Sequence, residues 1–118
     1  MKNTELKTQA AFFQWHWNTF PEERGQLCAI NNNSENAIKG SFNMAIGVVP
    51  GASDMFYVTK PSIIFIEWKT ETGVQSEKQK EFQRKVEAQG QRYVILRTLE
   101  EGKQLVYEQH ETAKAGRN

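Results

Sequence analysis

Cysteine is nearly missing from this chain: Cys28 stands alone among 118 residues. No disulfide can form within one copy, and a reducing, intracellular setting is the expectation. The two histidines, His16 and His110, lie far apart and have no cysteine or histidine at ligand spacing, so the sequence offers no zinc site. No apolar run approaches the roughly 20 residues of a bilayer span, and no signal-peptide pattern opens the chain; a membrane is not an expected partner. Charge of one sign is not in excess. The formal net charge of +1 is far from that of a protein that coats DNA, although an acidic site can offset a local basic surface. P-loop and GxGxxG patterns are absent. So is a recognition helix rich in Arg, Asn and Gln, which leaves backbone and shape as the means of any nucleic-acid recognition.

What is present is an ordinary globular mixture, with 38% hydrophobic and 25% charged residues, long enough for one core and one domain over 1–118. The chain is organised around Ile63-Ile64-Phe65-Ile66-Glu67-Trp68-Lys69. Four apolar residues running into charge read as a buried strand that ends at a polar site. Strand alternation puts Glu67 and Lys69 on one face. A Glu-x-Lys at a strand end is ordinarily solvated; a second carboxylate at the same place makes it specific. Asp54 supplies one, opening the strand-like Asp54-Met55-Phe56-Tyr57-Val58-Thr59. With Lys60-Pro61 as the turn, Thr59 faces Ser62, Met55 faces Ile66 and Asp54 faces Glu67. Opposed residues have Cβ atoms about 5 Å apart. Two carboxylates that close repel unless a proton or a cation lies between them. Oxygen ligands favour Mg²⁺ or Mn²⁺ over zinc.

The flanking elements follow from periodicity. Thr4 caps a helix to about Asn18, with Leu6, Ala10, Phe13 and Trp17 as its core stripe, widened or flanked by Phe12 and Trp15. Glu5 in its first turn suits the helix dipole. Pro21 to Gly25 break it. Gln26–Ile30 reads as a strand, Asn31–Ser34 as a loop and cap, and Glu35–Ile46 as a helix with Ala37, Ile38, Ser41 and Ala45 inward and Gly47 as its cap. Pro50-Gly51 signals a type II turn, and Gly51 would allow a phosphate or the partner strand to approach its backbone closely. Thr70–Gly73 is a polar loop in which Glu71 is solvated. Ser76-x-x-Gln79 is a capping box for a helix to about Gln89. Gln79, Phe82 and Val86 share its sheet-facing side, from which the Gln79 amide could reach over the sheet end towards Glu67 and Lys69. Lys78, Lys80, Arg84 and Lys85 form its other face, either solvated or set against phosphates. Arg92–Arg97 reads as a strand parallel to the central one. Thr98-x-x-Glu101 caps a last helix weakened by Gly102, with a frayed tail from about His110 to Asn118.

Gly51-Ala52-Ser53-Asp54, Ile66-Glu67-Trp68-Lys69 and Ser76-Glu77-Lys78-Gln79, followed by Gly90 and a final strand, resemble the VRR-NUC (virus-type replication-repair nuclease) family of PD-(D/E)XK nucleases, in particular its small stand-alone members. The resemblance spans about residues 4 to 108. Ser53 stands where that family usually has proline, a residue that stiffens the backbone but binds no metal. The resemblance implies an α/β fold with a restriction-endonuclease-like αβββαβ core, about four strands in a mixed sheet flanked by helices. It implies Asp54 and Glu67 as ligands of Mg²⁺ or Mn²⁺, joined by the Trp68 carbonyl, and Lys69 as the residue that orients or deprotonates the attacking water. It adds Glu5 as an accessory residue holding a metal-bound water, with Gln9 beside it, and Gln79 as a site residue. Stand-alone members are homodimers that cut four-way DNA junctions, so branched DNA and a second copy are the implied partners. Residues alone stop at a metal-dependent phosphodiesterase. Flap- or nick-directed cutting, and a binding module that keeps the fold without cutting, are the alternatives.

Overall fold

The computed structural model of the chain describes residues 3–31 and 37–115. In chain order it forms α1 (Asn3–Thr19), a 3₁₀ turn (Pro21–Glu23), β1 (Leu27–Ala29), α2 (Ala37–Ala45), β2 (Met55–Val58), β3 (Ile63–Trp68), α3 (Glu77–Ala88), β4 (Arg92–Leu96) and α4 (Leu99–Ala115). The four strands lie in the order β1-β2-β3-β4. The first two pairings are antiparallel and the β3–β4 pairing is parallel. This is the expected mixed sheet of a restriction-endonuclease-like core. The Asn31–Ser34 loop and the predicted start of α2 fall largely outside the described residues.

The β2–β3 register is the one the Lys60-Pro61 turn implies: Met55 pairs with Ile66 and Val58 with Ile63. Thr59 closes the turn by donating its hydroxyl to the Ser62 carbonyl. Alternation along β3 then sends Ile64, Ile66 and Trp68 to one face, into a core with Phe12, Leu105 and Val106. Phe65 goes to the other face, where its ring meets Phe82 of α3 edge-on at 5.5 Å. Glu67 shares the α3 side.

Expectations for three helices are corrected. Of the expected α1 stripe, Phe13 packs against the core, but Leu6, Ala10 and Trp17 are exposed. The buried residues are Phe12 and His16, while Leu6 is 53% and Trp17 41% exposed. Glu5, Gln9, Phe12 and His16 form the stripe that faces the sheet, one residue out of phase with the more apolar one. Helix α1 also begins at Asn3, so Thr4 lies inside its first turn rather than capping it. In α2, Ser41 and Ala45 are exposed, as are Phe42, Met44 and, just after it, Ile46; the Ala37 and Ile38 side chains lie outside the described residues. The third correction concerns α4, which continues to Ala115 with His110 hydrogen-bonded to Glu23 instead of fraying.

Gly102 shows why α4 carries a helix-weakening residue. A Cβ there would lie 2.7 Å from the Phe12 ring and 3.3 Å from Trp68. Its absence lets α4 pack against the Phe12–Trp68 pair, whose rings meet at 5.4 Å.

Candidate active site

The site sits where β2 begins and β3 ends. Asp54 is fixed from both sides by backbone: its N–H donates to the Ile66 carbonyl at 3.0 Å, and its carbonyl accepts from Ile30 N–H at 2.8 Å. The approach to it is equally defined. Val49–Ala52 closes with Ala52 N–H donating to the Val49 carbonyl, and Gly51 has φ +88°. Pro50 and Gly51 therefore occupy the central positions of the expected type II turn. Buried Ser53 donates its hydroxyl to the Met55 carbonyl at 3.1 Å. That local bond restrains the segment where a proline would have stiffened it.

The Asp54 side chain turns towards β3 and accepts the Trp68 backbone N–H at Oδ2, 2.7 Å away. Glu67, 3% exposed, lies across from it on β3, close enough for each carboxyl to shift the other. Burial and then the Asp54 charge push the Glu67 carboxyl up to about 8. Burial also raises Asp54, against the lowering effects of the Trp68 amide, the Glu67 carboxyl and the Lys69 charge. Lys69 approaches Glu67 Oε2 at 4.0 Å. Glu5 adds its negative charge to both acids from the first turn of α1.

Gln79 joins the site from α3. Its Nε2 donates to Glu67 Oε2 at 3.1 Å, while its Oε1 accepts the Ser76 N–H at 2.8 Å and its own N–H donates to Ser76 Oγ at 3.2 Å. The capping role and the site role are thus two ends of one amide. The cap orients the amide so that its NH₂ group faces the carboxylate.

Glu67 Oε2 is consequently engaged, whereas Oε1 is buried without a hydrogen-bond partner. Gln9 Oε1, one turn along α1 from Glu5, is a second such oxygen. Buried oxygens without donors are costly and call for a proton or a cation. Among the described residues no three His, Cys, Asp or Glu side chains group closely enough to hold a metal ion. The acidic oxygens at this sheet end are those of Asp54 and Glu67, and a cation held there would need neutral oxygens and water as well. Those hard oxygen donors, with one orphaned and buried, fit Mg²⁺ or Mn²⁺.

Sequence reasoning passed over one polar cluster. The Nε2 atoms of His16 and His110 meet opposite oxygens of Glu23, at 2.9 and 2.7 Å, where an ionised carboxylate accepts, and Tyr57 donates its hydroxyl to the same carboxylate. Glu22-Glu23 after Pro21 gave no pattern that points to this meeting, because its partners come from α1, β2 and α4.

No protein-family model matches the sequence, and no curated protein matches it. Among solved structures it is similar to a VRR_NUC domain protein, with a TM-score of 0.69 and 15% identity, over 92% of this chain and 89% of that one. At that identity the likeness is one of fold: the chain has a VRR-NUC-like fold. None of its described helices is long and apolar enough to cross a membrane.

Proposed function

We propose that this chain is a Mg²⁺- or Mn²⁺-dependent, structure-specific DNA endonuclease that acts as a homodimer on four-way junctions. The observation that carries the reading is the meeting of Asp54, Glu67 and Lys69 at one sheet end, with Glu67 Oε1 buried and unpartnered, on a VRR-NUC-like fold. Asp54, Glu67 and the Trp68 carbonyl would hold the cation, which polarises a phosphate and lowers the pKa of bound water. Gln79 keeps Glu67 Oε2 occupied and leaves Oε1 for that ligand. Lys69 orients the attacking water or takes its proton. Glu5 accepts a hydrogen bond from water at the rim of the site.

Two surfaces support the choice of substrate and assembly. Lys78, Lys80, Arg84 and Lys85 are exposed on α3, beginning next to Gln79, and suit the phosphates of a branched duplex. An apolar groove of about 500 Å³ runs beside the edge strand β1, lined by Leu6, Ala10, Phe13 and Trp17. With the exposed Phe42 and Met44 of α2 and Ile46 just after it, it provides apolar surface for a second copy, and two sites about a two-fold axis suit a two-fold substrate.

The test is cleavage of an end-labelled four-way junction, a flap and plain duplex, each with Mg²⁺, Mn²⁺ or EDTA, beside Asp54→Ala and Lys69→Ala. Paired nicks across the junction that need metal and vanish in both variants are expected. Cutting confined to flaps or nicked duplex would keep the chemistry and replace the substrate. Junction binding with no cutting of any substrate would overturn the enzyme reading in favour of a binding module.

A further inference from the structure

We propose that Gly51 is a positioning residue of this site, acting through the first turn of α3 on Gln79. This deepens the reading above and rests on it. The close approach that a glycine at 51 permits is made to the first turn of α3. A Cβ on Gly51 would lie 2.5 Å from both the carbonyl carbon and the carbonyl oxygen of Lys78, and 2.8 Å from the Lys78 Cβ. Two of these three atoms are helix backbone, which cannot swing aside as the end of a side chain can. The Pro50-Gly51 turn therefore bears directly on the residue preceding Gln79.

The consequence follows from the chain of contacts. Gln79 is held at its backbone and its amide oxygen by Ser76 and donates to Glu67 Oε2 at 3.1 Å. That bond sits near the long end of the usual N–H···O range, so a displacement of about half an ångström breaks it. Asp54 lies three residues beyond Gly51, on the same restrained segment. One contact thus sets the segment that delivers the first carboxylate against the helix that orients the second. Any side chain at 51 drives the two apart and releases Glu67 Oε2.

Backbone strain and this clash are separable within the same molecule. Gly47 and Gly90 also have positive φ, at +102° and +82°, and an added Cβ at either meets nothing within 4 Å. Gly47→Ala and Gly90→Ala thus carry the strain alone, while Gly51→Ala carries strain and collision.

The experiment measures junction cleavage per folded molecule, and Mn²⁺ affinity by calorimetry without DNA, for Gly51→Ala, Gly47→Ala, Gly90→Ala, Gln79→Met and the double variant Gly51→Ala/Gln79→Met. Gly51→Ala and Gln79→Met are each expected to lose roughly 10- to 100-fold in rate or Mn²⁺ affinity, as supporting residues around a metal do. The double variant is expected to lose no more than Gln79→Met alone, and the two strain controls to keep wild-type values in their folded fraction. Additive losses in the double variant, or equal losses in all three glycine variants, would overturn the proposal. If Gly51→Ala does not fold, Gly51→Asn, whose side chain tolerates positive φ but carries the same Cβ, takes its place under the same criteria. Absence of cleavage and of Mn²⁺ binding in the wild-type protein would instead overturn the nuclease reading itself.

Discussion

At the scale of single residues, the cost of bringing two carboxyls together falls on Glu67. Its carboxyl is raised to about 8 from an ordinary 4.5, by burial first and the Asp54 charge second. The folded state therefore binds more protons than the unfolded chain between those values. Stability from this group is complete below about 4.5 and is lost as pH rises through about 8. Glu67→Gln keeps a similar shape without the titration. In EDTA, the variant is expected to melt above the wild type at about pH 8.5, by a margin on the order of a few kcal/mol, and to converge with it near pH 5. Thermal melts across that range check it; parallel curves for the two proteins would contradict the assignment. Asp54, Glu67 and Lys69 were legible because a hairpin turn and a period of two suffice to bring them together. Gln79 was legible in both roles, but not the fact that one amide performs both at once. Gln9 was named only beside Glu5, since nothing in a sequence reveals that an amide oxygen ends up buried without a donor.

At the scale of elements, the errors share a cause. Hydrophobic periodicity finds the most apolar face of a helix, which is not always the face against the sheet. In α1 the stripe through Phe12 and His16 wins because it presents a ring to Trp68 and continues into Glu5 at the site. The more apolar stripe is left in the groove. A single-chain pattern does not distinguish a core-facing stripe from one left on the surface. Gly102 illustrates the same limit from the other side. A helix-interior Gly→Ala change ordinarily gains about 0.5–1 kcal/mol. Here the new Cβ meets the fully buried Phe12 ring at 2.7 Å, and overpacking costs about 1–3 kcal/mol. The clash should win. Gly102→Ala is expected to destabilise by about 1–2 kcal/mol in urea melts with m unchanged. A stabilised variant would mean that α4 slides freely over α1.

At the scale of the whole molecule, Glu23 joins pieces that no local signal connects: the 3₁₀ turn, the end of α1, β2 and α4. Its oxygens receive His16, His110 and Tyr57. Burial works to raise the Glu23 carboxyl, but those hydrogen bonds and the His110 charge outweigh it, so its pKa falls below 4.5. Burial first, and then its bond to Glu23 and that carboxylate's charge, push the Tyr57 hydroxyl well above its ordinary range. Glu23→Gln retains one acceptor oxygen and substitutes a donor for the other, so one partner on the far side of the cluster is left unmatched. A lost hydrogen bond to a charged group costs about 1.5–3 kcal/mol, a fall in Tm on the order of 10 °C for a chain of this size. The sign with pH is opposite to that of Glu67. A carboxylate lowered in the folded state contributes stability above about 4.5 and loses it as pH falls through the folded value. The gap between wild type and Glu23→Gln should therefore be full at about pH 6 and shrink as pH falls through the folded value of Glu23, read from Tm on both proteins in EDTA. If the gap instead stayed constant to low pH, the cluster would hold the layers together by shape alone, and the charge on Glu23 would contribute nothing to joining α4 to the sheet.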